Sequence, residues 1–405
     1  MKLQQIGIVY RKELRDTLRD RRTLISMVVV PILLMPILIF GMATITIRLV
    51  EKARSEGSSV MLLGSEHAPE LAVEIENHEG ITVIPPAEDF VRRIENKDLR
   101  VAVEFPPGFE SRLETGTDSS DLEVKIYHYE GELRSTFALR TMQSILRNYR
   151  DRVVEKRLKD RHLSTEILQP FQTVASNVAS PEKVGGQLTG GLIPYLIIML
   201  CLTGAMYPAI DLTAGEKERG TIETILASPV SRGALATGKF LTVLTASVST
   251  AVLSLLSLGV TLRLAPLFVE IGSQKGKQLF QFAMSFSGVV AVFAMIIPLA
   301  VMFSAALLAI ALLAKSYKEA QSYISPLMIL VMLPSLVSIL PGIELSRLLV
   351  WIPVLNVSLV SKDILSGTFQ WDRIALIFLS SSVYAAGALW VAARAFQRES
   401  VLFRT

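Results

Sequence analysis

Across 405 residues the chain is 51% hydrophobic and only 19% charged, with a mean hydropathy of +0.45, a composition that excludes an ordinary water-soluble globular protein. Its 41 Lys and Arg against 37 Asp and Glu leave a net charge of +4, and these charges flank apolar stretches, which argues for contact with a lipid bilayer and anionic headgroups and against nucleic acid. The single cysteine, Cys201, excludes an internal disulfide and supplies no metal cluster.

Within residues 3–22, Leu3, Ile6, Tyr10, Leu14 and Leu18 share one face at near-helical spacing, with Arg11, Lys12, Arg15 and Arg19 elsewhere. That pattern predicts an amphipathic helix in the membrane interface, a cytoplasmic elbow over 1–23. The same residues also fit the first turns of a long transmembrane helix. A crossing helix needs about 20 mainly apolar residues, and six stretches reach that length: 24–47, 188–211, 240–262, 284–314, 323–343 and 374–393. The first has too long an apolar run for a signal-peptide core and no clear cleavage site, so it is expected to stay as an anchor. The fourth, the longest, must tilt, kink at Pro298 or extend beyond the lipid.

Residues 48–187 form an insert between the first two spans. The runs SSVMLLG (58–64), ITVIPP (81–86), LRVAVEF (99–105) and LEVKIYHY (122–129) read as strands, and APELAVEIEN (68–77) and AEDFVRRIEN (87–96) as helices. The alternation predicts a small α/β domain. From Glu132 to Arg161, Leu133, Phe137, Met142, Ile145, Tyr149, Val153 and Leu158 keep a helical period over roughly 45 Å. Residues 163–187 read as a linker. Further on, residues 344–373 carry an apolar segment too broken to span; Trp351, Pro353 and Asn356 fit short helices dipping into the outer leaflet, or an apolar surface loop packed on the bundle.

Orientation follows from the Lys/Arg bias of short loops. Sixteen lie on the side of residues 1–22, 212–239, 315–318 and 394–405, against six in the two opposite short loops, so both termini are expected in the cytoplasm and the large insert outside it. The expected fold is an α-helical multi-pass membrane protein with six transmembrane helices and an inserted extracytoplasmic α/β domain, placed in the cell membrane.

Two stretches carry candidate chemistry. Residues 215–232, GEKERGTIETILASPVSR, lie in the predicted cytoplasmic loop 212–239. After a charged start (Glu216, Lys217, Glu218, Arg219), Gly220 or Thr221 can cap a short helix in which Ile222, Ile225 and Leu226 share a face, Glu223 sits in the first turn, and Pro229 ends the run. Such a helix suits a membrane surface or a partner's groove, although an ordinary surface loop has the same features. Residues 233–240, GALATGKF, come one residue short of a phosphate-binding loop. Phe240 stands in place of the magnesium hydroxyl and no strand precedes the stretch, so no nucleotide or other cofactor is expected on this chain. His67, His78, His128 and His162 lack metal-ligand spacing, so no metal site is expected, and the absence of HExxH, GxSxG or paired intramembrane aspartates disfavours a membrane-embedded enzyme. The mid-depths of the spans carry no ionisable residue, with Asp211 near an inner end, which weighs against coupling through a buried carboxylate.

The basic start RKELRDTLRDRRTL, the large insert after the first span, EKERGTIETILASPVSR followed by GK at 238–239, WIPVLNVSLVSKDILSG and the tail AARAFQRESVLF together resemble the permease subunits of the ABC-2 transporter family, and within it the NatB-like sodium-export permeases. The resemblance covers nearly the whole chain. It implies six spans, pairing with a second copy or a homologous permease, and a separate cytosolic ABC ATPase that binds ATP and magnesium. It implies that Glu216, Glu218, Arg219, Gly220, Thr221, Glu223, Ile225, Leu226 and Pro229 form the coupling element to that ATPase, that residues 347–366 are re-entrant outer helices, and that the cargo is sodium. Export of a drug, peptide or lipid-like compound, and a membrane-anchored sensor or assembly factor without transport, are the alternative readings.

Overall fold

Asp20 sets how the chain enters its first long helix. Helix α1 (Lys2–Thr17) ends, and the Asp20 carboxylate accepts hydrogen bonds from Thr23 N (2.9 Å) and Thr23 Oγ1 (2.7 Å) at the start of α2 (Arg21–Leu24). This cap satisfies an amide that a helix start leaves open. Residues 2–17 are thereby a helix of their own, shorter than the elbow expected over 1–23 and not the first turns of a span. A π turn (Ile25–Val29) joins α2 to α3 (Val30–Ser55). The computed structural model describes residues 2–55, 57–115, 122–163, 191–221, 224, 228–269, 286–340, 343 and 345–398. They divide into two units, Met1–Met42 with Val178–Thr405, and Ala43–Asn177.

In the inserted unit, β1 (Ser58–Leu63), β2 (Ile81–Ile84), β3 (Val101–Glu104) and β4 (Lys125–His128) form one sheet in the order β2-β1-β3-β4. β1 runs parallel to β2 and β3, with Val60 opposite Val101, and β4 is antiparallel to β3. Val60, Met61 and Leu62 in the central strand are all buried, as an unbroken apolar run between two covered faces requires. Val60, Leu62, Val101 and Val103 pack on Leu71 and Ile75 of α4 (Pro69–Glu76) and on Ala138, Met142 and Ile145 of α7 (Leu133–Asp160). Met61 and Ala102 pack on Ile94 of α5 (Phe90–Glu95) across the other face, and α6 (Phe109–Thr115) follows β3. Tyr149 of α7 stacks on Phe109, and its hydroxyl points at Glu110 (3.5 Å); burial and then that carboxylate push the phenol up to about 12. The Glu110 carboxylate accepts from Leu71 N at the start of α4 (3.0 Å).

The other unit is helical. α8 (Leu192–Ile210) continues through a π turn (Asp211–Gly215) into α9 (Glu216–Glu218), followed by α10 (Arg232–Val269), α11 (Phe286–Leu313), α12 (Tyr317–Val337), α13 (Leu355–Leu365) and α14 (Trp371–Gln397). Among the described residues, six stretches are long and apolar enough to cross a membrane: Arg21–Met42, Leu192–Glu218, Arg232–Ala265, Ser287–Leu313, Tyr317–Val337 and Trp371–Gln397. α8 is apolar all round and packs on α10, α11, α12 and α13, so it forms the centre. α12 and α14 leave Ile329, Leu330, Leu333, Phe378, Leu379 and Val383 exposed, an apolar surface that belongs in lipid. α13 is no surface loop: Asn356 through Ser361 are buried, and it touches α8, α11 and α14. Two helices overrun the predicted spans, so that α9 ends at Glu218 and α10 begins at Arg232 within the stretch expected as a loop over 212–239.

Candidate coupling site

The end of the second span is built by turns that close on themselves. After α9, Arg219 N bonds Gly215 O (3.2 Å) and Gly220 N bonds Lys217 O (3.0 Å), with Gly220 at φ +68°, the left-handed position that ends a helix and favours glycine. Gly220 therefore closes α9, and the residue after it, Thr221, is again helical. Thr221 Oγ1 donates to Glu216 O (3.2 Å) and tightens the same exit.

The charged residues here are tied to the ends of neighbouring helices. Glu218 Oε2 accepts from Tyr317 N at the first turn of α12 (2.7 Å), and Lys217 Nζ donates to Leu312 O at the end of α11 (2.6 Å), where a cation suits the carbonyl end of a helix. Arg219 pairs with Asp211 one π turn earlier. Glu216 is buried and pairs with Lys239 of α10, itself 2% exposed, whose Nζ also donates to Leu212 O (2.6 Å). Burial removes the Glu216 side chain from the surface a partner would meet, whereas Glu218, Arg219, Gly220, Thr221 and Pro229 are exposed. Pro229 O accepts from Gln5 Nε2 (3.3 Å). Glu223, Ile225 and Leu226, with Ile222, fall outside the described residues.

Helix α1 completes the site. Val9, Glu13 and Thr17, spaced by four, form its buried face, and α1 packs along α10 with Tyr10 Oη 3.1 Å from Thr245 Oγ1. The apolar face expected from sequence is about a quarter-turn off: Ile6, Tyr10 and Leu14 are half-buried, while Leu3 and Leu18 are exposed. Lys12 pairs with Glu13 (3.1 Å). Burial would lower the Lys12 pKa, but the Glu13 carboxylate, with Glu216 and Asp16 beyond it, holds it above the ordinary value.

The GALATGKF residues lie wholly inside α10. A Cβ on Gly238 would stand 2.5 Å from Val9 Cγ1 and 3.3 Å from Tyr10 N, so this glycine lets α1 close onto α10. Lys239, the next residue, is the buried partner of Glu216. The sequence did not expose this pairing because Lys239 counted as a charge of the loop 212–239, outside the predicted span 240–262. A lysine two turns inside a largely apolar helix was the available signal. Among the described residues, no three His, Cys, Asp or Glu side chains converge to hold a metal ion.

Residues 21–394 match the family described as ABC-2 family transporter protein. The chain is 31% identical over 369 residues to the ABC transporter permease protein NatB of Bacillus subtilis (strain 168), covering 89% of each. It is 23% identical over 238 residues to the probable multidrug ABC transporter permease YbhR of Escherichia coli (strain K12), covering 58% of this chain and 60% of that one. No solved structure matches.

Proposed function

The chain belongs to the ABC-2 family of transporter proteins, as a membrane-embedded permease subunit, and from that premise we propose that it exports sodium ions, driven by a separate cytosolic ABC ATPase. The observation that carries the choice of cargo is the extent of similarity. An alignment covering 89% of this chain and of NatB cannot leave out the unit Ala43–Asn177, whereas the alignment with the multidrug permease covers 58%. The NatB-like permeases are the sodium-export branch that the sequence motifs resemble. In this reading two permeases pair, ATP and magnesium stay on the ATPase, the termini are cytoplasmic, and the inserted α/β unit lies outside.

The segment 215–232 is the ATPase contact in this proposal. Its supports are the exposed Glu218, Arg219, Thr221 and Pro229, between helix ends that other helices hold in place. Any displacement of the segment then reaches α1, α10, α11 and α12 directly.

The test uses inverted membrane vesicles containing the chain and a candidate cytosolic ABC ATPase. ATP-dependent uptake of radioactive sodium, abolished when the ATPase cannot hydrolyse ATP, is the expected result. ATP-dependent accumulation of a fluorescent drug with no sodium uptake would replace the cargo by the multidrug alternative.

A further inference from the structure

Two ionisable side chains, Glu216 and Lys239, are buried against each other on either side of residues 219–231. Glu216 lies in the last turn of the second span, and Lys239 lies two turns into α10. Lys239 Nζ also holds the carbonyl of Leu212 in the π turn (2.6 Å), and the neighbouring Gly238 is pressed against Val9 of α1. On α1, the buried Glu13 and its partner Lys12 lie close enough for both to act electrostatically on Glu216. A buried ion pair is a poor way to gain stability, because desolvation offsets most of the attraction and apolar residues of the same volume do as well. What it supplies is a fixed geometry.

We infer that the Glu216–Lys239 pair is the joint that carries displacement of residues 219–231 into α1 and α10, so that both are positioning residues for the energised step. The inference rests on the reading that 215–232 contacts the ATPase. Removing one charge strands the other. Replacing both by methionine fills the same space with nothing directional, so packing is kept while the geometric link is lost.

The experiment uses the assembled complex in proteoliposomes, in a Cys201→Ser background, with spin labels at exposed Arg15 on α1 and Ala393 on α14. Trapping the ATPase with nucleotide should change the distance between the labels in the unsubstituted chain. In the Glu216→Met, Lys239→Met double variant the ATPase should still co-purify, the distance should no longer respond, and sodium transported per ATP should fall about tenfold, the scale of one coupling energy. The charge exchange Glu216→Lys with Lys239→Glu should restore most of both. Normal distance response and transport in the double methionine variant would overturn the inference, since the pair would then be packing alone. So would a charge exchange no better than the methionines. Should the methionine pair fail to insert, Glu216→Gln removes the charge and keeps the shape; unchanged coupling there would equally overturn it. An unsubstituted chain that retains no ATPase would remove the contact reading, and the joint with it.

Discussion

Gly238 is where the residue scale decides most. Alanine in a helix interior is ordinarily favoured over glycine by about 1 kcal/mol. At Gly238 the added methyl would meet Val9 at 2.5 Å with the α1 backbone behind it, whereas at Gly233 nothing lies within 4 Å. Overpacking of that kind costs about 1–3 kcal/mol, enough to reverse the propensity gain. Gly238→Ala should therefore lower the melting temperature of the detergent-solubilised protein and Gly233→Ala raise or preserve it; equal behaviour of the two would mean that α1 does not close on α10 there. The sequence could not separate these glycines, because both sit in one helical run and only the partner helix distinguishes them. Gly220 was legible as a helix boundary for its conformational freedom, but not as the end of the preceding helix, since the rule that places glycine at helix ends also admits it as an N-cap.

At the scale of elements, the breaks carry as much information as the helices. Asp20 three residues before Thr23 is a capping signal readable from the sequence, yet amphipathic periodicity through 3–22 ran across it. The periodic face drifted for the same reason, since Val9, Glu13 and Thr17 face a helix that composition alone does not locate. Long apolar runs were legible because membrane thickness fixes their length, while the facing ends of the second and third were not: α8 through α9 and α10 extend past the predicted spans, where Glu216 pairs with Lys239. The α/β insert was legible from alternation of apolar runs, with β1 read from the run SSVMLLG at 58–64. Asp20→Ala should cost about 1 kcal/mol through loss of the cap. Partial burial would raise the Asp20 carboxyl, but the hydrogen bonds from Thr23 hold it below the usual 3.8. A carboxyl depressed in the folded state contributes stability above its unfolded pKa and loses it as pH falls through the folded one. The difference in melting temperature between the unsubstituted protein and Asp20→Ala should thus be full at neutral pH and shrink below 3.8; a difference independent of pH would remove the capping role.

Across the whole molecule, the six apolar helices among the described residues and the family agree on a membrane permease, and the positive bias of short loops is the ground for the proposed orientation. A cysteine at exposed Asn77 in the Cys201→Ser background should react with an impermeant thiol reagent added outside intact cells. Reaction only after the inner face is opened would invert the topology. The central claim is that residues 215–232 join this permease to its ATPase. Co-purification of the ATPase and ATP hydrolysis in proteoliposomes, measured for the unsubstituted chain and for Leu226→Asp, test it most directly. Placing a carboxylate where an apolar anchor should enter a groove costs about 2 kcal/mol or more of binding. With expression and insertion unchanged, Leu226→Asp should lose most of the bound ATPase and of the hydrolysis it supports, and Glu223→Lys should follow it. Full retention of both in Leu226→Asp would contradict the coupling role and leave the membrane-anchored sensor as the better account.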